Sequence, residues 1–491
     1  MNRNSSFINL AIKLLHIKLS NAPNQEIAMK RTLFYTLKDM GGVYIKFLQI
    51  MSVTHKFMEG WGGPAEMKVF DQVDTESIDV SSMITNFGAF ASFDLTPFAT
   101  GSFAQVYRAQ LTTGELVAIK ILRPSIAHSL RHDLRVLRRI VKLFGRFLPS
   151  TILDYQAAID EFCESCLLET DYNREISNMQ YFTKLYSDSP HVVIPRVYEH
   201  LSSSNIIVQD FIEGPTLASI MTAATPNKPA SRLATELTGS NLWTQITIAG
   251  GEALRTAMCA DFIFGDPHPG NIILLPNNRI AFIDFGIIAE KPTSQRAFYE
   301  WTLAYHDILT GKGSYAKLLE TCFVCFCPDV ANALRSCECN NPDGTSITIL
   351  DSITMAVESK LANIKNNNKL AQDLFSNGHL FRLFTDALDS NNALNVKLDM
   401  TNFKLVKAMQ AFLGSVTTLD NNEDHNVFTP VMVNAMRYAL DYCHRTGVPN
   451  DIILKSKYSK SESYALLLDT FSSLAEGDQF IFQYISGIMS T

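Results

Sequence analysis

Asp266-Pro267-His268-Pro269-Gly270-Asn271, followed by Ile283-Asp284-Phe285-Gly286, is the stretch on which the fold turns. Asn271 stands five residues after Asp266, and Asp284 eighteen after it. Between them, Ile272 to Leu275, Pro276-Asn277-Asn278 and Ile280 to Ile283 read as two short apolar strands joined by a turn. A polyphosphate carries several negative charges, and a magnesium ion bridging its oxygens needs hard oxygen ligands to fix it. Asn271 and Asp284 offer such oxygens as metal ligands, which leaves Asp266 to orient or deprotonate an acceptor, or to position a water.

Upstream, Val117-Ala118-Ile119-Lys120 closes a predicted β-hairpin: Val106, Tyr107 and Leu111 lead into the turn Thr112-Thr113-Gly114, and Leu116 to Ile121 return. Protein kinases place a Lys on such a strand to contact the α- and β-phosphates of ATP, and a Glu from a later helix to pair with it. Ala99-Thr100-Gly101-Ser102-Phe103-Ala104-Gln105-Val106 lies where a loop would cover the phosphates, with one glycine. Each piece alone is weak, but all of them in this order and spacing predict a nucleotide site for ATP and Mg2+. Val208 to Gly214 reads as the hinge between lobes, with Gln209, Asp210 and Phe211 meeting adenine through the backbone. A further strand is expected over Asn205 to Gln209.

These motifs together resemble the UbiB family of atypical kinase-like proteins, also called AarF or ADCK, over about residues 35 to 295. The family's Ala-rich AxAS loop is matched by Ala99-Thr100-Gly101-Ser102, and its Gln-Val pair by Gln105-Val106. Its ExD motif is matched by Glu169-Thr170-Asp171, continuing into Tyr172, Glu175 and Asn178, and its ADPHPGN loop by Gly265 to Asn271. Its KxGQ motif is matched by Lys46-Phe47-Leu48-Gln49, where Leu48 replaces Gly. Gly101 replaces the last Ala of AxAS, which permits closer backbone approach to phosphate, and Phe264-Gly265 stand where the family has His-Ala. The resemblance implies an α+β, two-lobed protein-kinase-like fold with a helical N-terminal extension and a large, mostly helical C-lobe. The expected division is 1–90 for the extension, 91–213 for the N-lobe and 214–491 for the C-lobe. It also implies an extension bearing Lys46 over the cleft, and a role in isoprenoid quinone or lipid metabolism at a membrane surface.

Ile176, Met179, Phe182 and Leu185 recur every three residues, so one helix face packs inward beside Glu175. That favours Glu175 as the partner of Lys120, with Glu169 and Asp171 placed to meet Lys46 or a second metal, or to form a solvated surface cluster. Gly265 before Asp266 leaves no Arg for a phosphorylated activation loop, and no APE motif follows Gly286. The platform that seats a peptide substrate is therefore expected to be missing; the family resemblance implies instead a protein acting on, or in support of, small lipophilic molecules.

A net charge of −7 argues against a general nucleic-acid binder. No uninterrupted apolar run reaches the roughly 18–20 residues of a bilayer span, which leads to a cytoplasmic protein, with peripheral attachment to the inner membrane face as a second reading. Basic amphipathic stretches at Phe7–Leu19 and Leu130–Leu148 fit either membrane docking or packing on the protein's own body, the second being commoner. Nine cysteines in so long a chain suggest thiols rather than a disulfide framework. Cys322, Cys325, Cys327, Cys337 and Cys339 read as ordinary buried thiols rather than a zinc site, as do Cys163 and Cys166. Two rival functions remain open: a pseudokinase regulator that holds ATP without transfer, and a soluble phosphotransferase of the aminoglycoside or choline type. Protein partners are not legible.

Overall fold

The structure is a computed structural model. With short gaps it describes residues 9–17, 25–52, 78–144, 155–361, 412–419 and 427–446. The stretch Phe7–Leu19 therefore lies largely outside the described residues, and so do Ser102, Cys327 and the side chain of Gln49. The chain divides into two compact units. One comprises Met1–Ser187, Ile194–Ile212 and Phe285–Ile287; the other comprises Asp188–Val193, Glu213–Asp284 and Ile288–Thr491. The helical N-terminal stretch thus groups with the strand-rich segment.

In the first unit, Phe90–Phe93 (β1), Ala99–Thr100 (β2), Ala104–Leu111 (β3), Leu116–Leu122 (β4) and Ile206–Asp210 (β6) form an antiparallel sheet. Its order is β1-β3-β4-β6, with β2 also on β3. Successive strand residues point to opposite faces, and here the alternation is clean. Tyr107, Ala109, Leu111, Val117, Ile119, Ile121, Ile206 and Val208 share the face that packs into a core with Val80 and Tyr198. Gly114 takes φ +101 at the β3–β4 turn, a value that a side chain would strain.

Helices Gln25–Met40 (α1), Val43–Ser52 (α2), Pro124–Phe144 (α3), Tyr155–Glu169 (α4) and Tyr172–Leu185 (α5) complete this unit. Helix α3 begins earlier than its basic periodicity suggests, because Pro124 suits a first helical turn. Its apolar residues Leu130, Leu134, Leu137 and Ile140 are buried. Helix α4 packs against it, with Arg138 Nε 2.7 Å from Asp160 Oδ1. The apolar face of α3 therefore covers the protein's own body rather than standing open.

The second unit is mostly helical. Val192–Val193 (β5), Arg279–Phe282 (β9) and Ile272–Leu275 (β8) form one small sheet, and Phe262–Phe264 (β7) pairs with Ile288–Glu290 (β10). Asn277 and Asn278 carry φ 60 and 54 in the β8–β9 turn. Two successive left-handed residues define the hairpin turn that matches strand twist, and Asn tolerates it best after Gly. Helices follow as Leu217–Ala223 (α6), Ala230–Thr238 (α7), Leu242–Cys259 (α8), Gln295–Leu309 (α9), Tyr315–Phe326 (α10), Pro328–Ser336 (α11), Ile349–Leu361 (α12) and Phe428–Thr446 (α13).

A short hairpin follows, in which Glu338–Asn340 (β11) pairs with Ser346–Thr348 (β12). Cys322 and Cys325 are buried within α10, and Cys163 and Cys166 within α4. Helix α8 forms the centre of this unit, and α13 lies along it. An apolar cavity of about 40 Å³ remains between them, lined in part by Ala253, Ala257, Pro267, Met432 and Met436. Among the described residues, no helix is long and apolar enough to cross a membrane.

Candidate active site

In the first unit, register fixes what the sheet presents. Val106 pairs with Lys120, which pairs with Ile207, while Ala118 pairs with Gln209. Val106, Ala118, Lys120 and Gln209 therefore share the face opposite the apolar core. From that face Lys120 Nζ reaches Glu175 of α5 with two bonds, 2.7 Å to Oε1 and 2.9 Å to Oε2. The Glu175 side chain is 1% exposed and that of Lys120 19%. The Tyr172 ring lies 5.4 Å from the same ammonium. A buried carboxylate is tolerable only when so paired, so α5 and the sheet hold each other in place.

Helix α5 is started by Asp171, whose carboxylate accepts from Arg174 N at 3.2 Å. Asp171 is thus an exposed N-cap, the role for which Asp is strongly preferred. Glu169 forms an ion pair with Lys46 of α2. The Lys46 ammonium also sits 4.6 Å over the Phe103 ring. Leu48, the departure from KxGQ, is buried, and Phe47 packs edge-on against Phe162 at 5.4 Å.

Ala99, Thr100 and Gly101 run into the β2–β3 loop, which Gly101 N closes on Ala104 O at 2.8 Å. Arg123, which motif reasoning did not single out, donates from Nη2 to Gly101 O at 3.2 Å and so pins the loop to the end of β4. Nothing in its sequence context marks it. Gln105 is placed differently from its sequence expectation. It pairs with Ile121 on the core face, is 3% exposed, and accepts from the Tyr107 hydroxyl at 2.6 Å. Its side chain therefore points away from the face that carries Lys120.

Asp210 is likewise committed, accepting from Tyr198 Oη at 2.9 Å and from Arg196 N at 3.1 Å. Phe211 packs edge-on against Phe98 at 5.4 Å. One of the five points at which the chain passes from one unit to the other, between Ile212 and Glu213, falls within the stretch Val208 to Gly214. Phe285, fully buried, packs 5.2 Å from Phe182 of α5, and its carbonyl accepts from Asn178 Nδ2 at 2.8 Å.

The second unit carries the oxygen donors. Pro269–Asn271 forms one 3-10 turn, which Asn271 N closes on His268 O at 2.8 Å. Asn271 Nδ2 donates to Asp266 O at 3.1 Å and to Asp266 Oδ2 at 3.4 Å. With its nitrogen so engaged, the amide oxygen is the atom that Asn271 could offer a cation. The β8–β9 ladder pairs Ile272 with Phe282, and Ile283 N continues it to Asn271 O at 3.2 Å. Asn271 and Asp284 consequently stand at the same open end of one hairpin. Gly214 passes so close to β8 that a Cβ would lie 2.6 Å from Leu274 O.

Among the described residues, no group of three His, Cys, Asp or Glu could hold a metal. One carboxylate and one amide oxygen, completed by phosphate oxygens, is nevertheless the kind of donor set Mg2+ accepts.

A strand Lys clasped by a helix Glu, and an Asp-Asn loop joined by a hairpin to Asp-Phe-Gly, define an α+β protein-kinase-like fold. Residues 85–307 match the family model of the ABC1 atypical kinase-like domain, and this chain therefore carries a domain of the UbiB/ADCK family. Among its relatives is the chloroplastic ACTIVITY OF BC1 COMPLEX KINASE 3 of Arabidopsis thaliana, 31% identical over 42% of this chain and 28% of that one. An uncharacterized protein in the hydrogenase 1 5'region of Clostridium pasteurianum is 32% identical over 48% of this chain and 43% of that one. The chain thus spans less than half the length of these relatives. A solved structure of Rv3197 from Mycobacterium tuberculosis, in complex with erythromycin, is 21% identical with a TM-score of 0.44, covering 85% of this chain and 94% of that one.

Proposed function

We propose that this domain binds ATP with Mg2+ and transfers or hydrolyses the terminal phosphoryl group. The observation that carries this reading is the two-bond clasp of Lys120 by the buried Glu175 on the face of the sheet away from the core. An ammonium fixed in direction, with its protons shared between carboxylate and solvent, is what contact with the α- and β-phosphates needs. Asn271 and Asp284 would hold Mg2+, which neutralises charge on the phosphate oxygens when bound. Asp266, steadied by the Asn271 amide, would take the proton of an acceptor hydroxyl or of a water. Ala99 to Gly101 and the backbone of Gln209 to Phe211 would line the nucleotide, since the Gln105 and Asp210 side chains are engaged elsewhere.

Only residues 287–294 separate Gly286 from α9, and three of them form β10. So short a segment supports a small acceptor over a docked peptide. Family likeness extends this to isoprenoid quinone or lipid metabolism, at a membrane surface or on a lipophilic molecule free in solution. The test is ATP turnover by the purified chain with Mg2+, with and without liposomes, beside Asp266→Asn. Removing a general base should lower the rate by about 100-fold or more. Equal rates in the two proteins would defeat the catalytic reading and leave a pseudokinase that holds ATP. Turnover of a hydrophilic alcohol, indifferent to liposomes, would overturn the lipophilic acceptor.

A further inference from the structure

Helices α8 and α13 are separated by most of the second unit in sequence, yet they bring two thiols into contact. Cys259 Sγ lies 3.4 Å from Cys443 Sγ, and Cys443 Sγ lies 3.5 Å from Met258 Sδ. A disulfide bond is ~2.05 Å long, so the sulfurs need close by little more than an ångström. Cys259 is the last residue of α8, and the cap that follows, Ala260, is extended. The approach therefore falls at a helix end rather than in a rigid interior.

The two thiols are unequal. Cys443 is 3% exposed, whereas Cys259 is partly exposed and open to a small oxidant. The hydrogen bond from Cys443 lowers the Cys259 pKa, with the Arg255 guanidinium adding to this and burial opposing it, while Cys443 is pushed up by the same bond and by burial.

We infer that Cys259 and Cys443 are a peroxide-oxidisable pair that closes into one reversible disulfide tying α8 to α13. The Cys259 thiolate attacks one oxygen of hydrogen peroxide, the O–O bond breaks, and hydroxide leaves to become water, giving a sulfenic acid. The Cys443 sulfur then attacks the Cys259 sulfur, loses its proton, and expels the oxygen as a second water. Two sulfurs lose two electrons in all, and the peroxide gains them. Four other described cysteines fit this less well. Cys163 and Cys166, like Cys322 and Cys325, are buried on one turn of a single helix, and burial raises the Cys163 thiol to about 11.

The inference is independent of the nucleotide reading. The test treats the reduced full-length chain with hydrogen peroxide, caps remaining thiols with N-ethylmaleimide, and maps peptides by mass. A 259–443 cross-linked peptide should form, lighter by two hydrogen atoms than its two parts and released by dithiothreitol. The melting temperature of the oxidised chain should rise by several degrees and fall back on reduction, because the bond closes a loop of most of the unit. In Cys443→Ser the sulfenic acid has no partner, so Cys259 should run on to the sulfinic acid, which dithiothreitol does not reverse. Capping of both cysteines after peroxide, or linkage of either to another cysteine, would overturn the inference. The unmodified chain gives that answer even if the variant fails to fold.

Discussion

Lys120 and Glu175 form an unequal pair, and the inequality has a measurable sign. Removing Lys120 as Met strands a carboxylate that is 1% exposed, whereas replacing Glu175 by Gln leaves an ammonium that still reaches solvent. Breaking a buried pair from the side that leaves its charge uncompensated costs about 3–5 kcal/mol. Lys120→Met should therefore lower unfolding free energy by about that much, and Glu175→Gln by clearly less. The double variant should recover much of the loss, since no buried charge is stranded, and a urea-melt cycle over the four proteins checks this. The ranking would fail if Glu175→Gln proved the more damaging. Glu175 is legible in the sequence because the three-residue spacing of Ile176, Met179 and Phe182 sets its helix face. Gln105 is misplaced by motif matching, although simple alternation from Tyr107 already puts it on the core side.

Hairpins were the most legible elements, because Thr112-Thr113-Gly114 and Pro276-Asn277-Asn278 carry turn chemistry that fixes register on both sides. The β2–β3 loop is different, since what holds it, the Arg123 bond to Gly101 O, comes from a residue with no local signal. Gly101 there is not required by the backbone. A Cβ would meet only Ala104 O at 3.7 Å, an ordinary contact, and its φ is not left-handed. Gly101→Ala should thus leave stability within about 0.5 kcal/mol, or raise it slightly by restricting the unfolded chain. Any effect should fall on nucleotide affinity, weakened roughly threefold to tenfold as a methyl group keeps phosphate from the backbone. Thermal melts beside a fluorescent-nucleotide titration separate the two; a large drop in melting temperature would refute the loop assignment.

At the scale of the whole molecule, the packing of α8 against α13 could not be read from sequence, because nothing local links residues near 250 to residues near 440. The contact depends on the absence of a side chain. A Cβ at Gly251 would lie 2.6 Å from Tyr438 Cδ1, 3.0 Å from Cγ and 3.2 Å from Cβ. The last of these is tied to the α13 backbone and cannot swing aside. Displacing Tyr438 would also break its hydroxyl bond of 2.5 Å to Glu252 Oε1, whose other oxygen pairs with Arg255 Nε at 2.6 Å.

Alanine gains about 1 kcal/mol over glycine in helix propensity. Overpacking costs about 1–3 kcal/mol, and losing a hydrogen bond to a buried charge about 1.5–3 more. The losses win, so Gly251→Ala should destabilise the chain by about 2–4 kcal/mol. Gly250→Ala should cost less, since Phe412 Cε1 and Cζ at 2.8 and 2.9 Å are the far end of a side chain, and the backbone-tied Ala435 Cβ at 3.3 Å is the most distant of its three contacts. Tyr438→Phe keeps the ring and removes only the bond to Glu252, so its cost should fall between those two. Denaturant melts followed by circular dichroism rank the three variants; Gly250→Ala proving worse than Gly251→Ala would mean that the helices do not meet along this line.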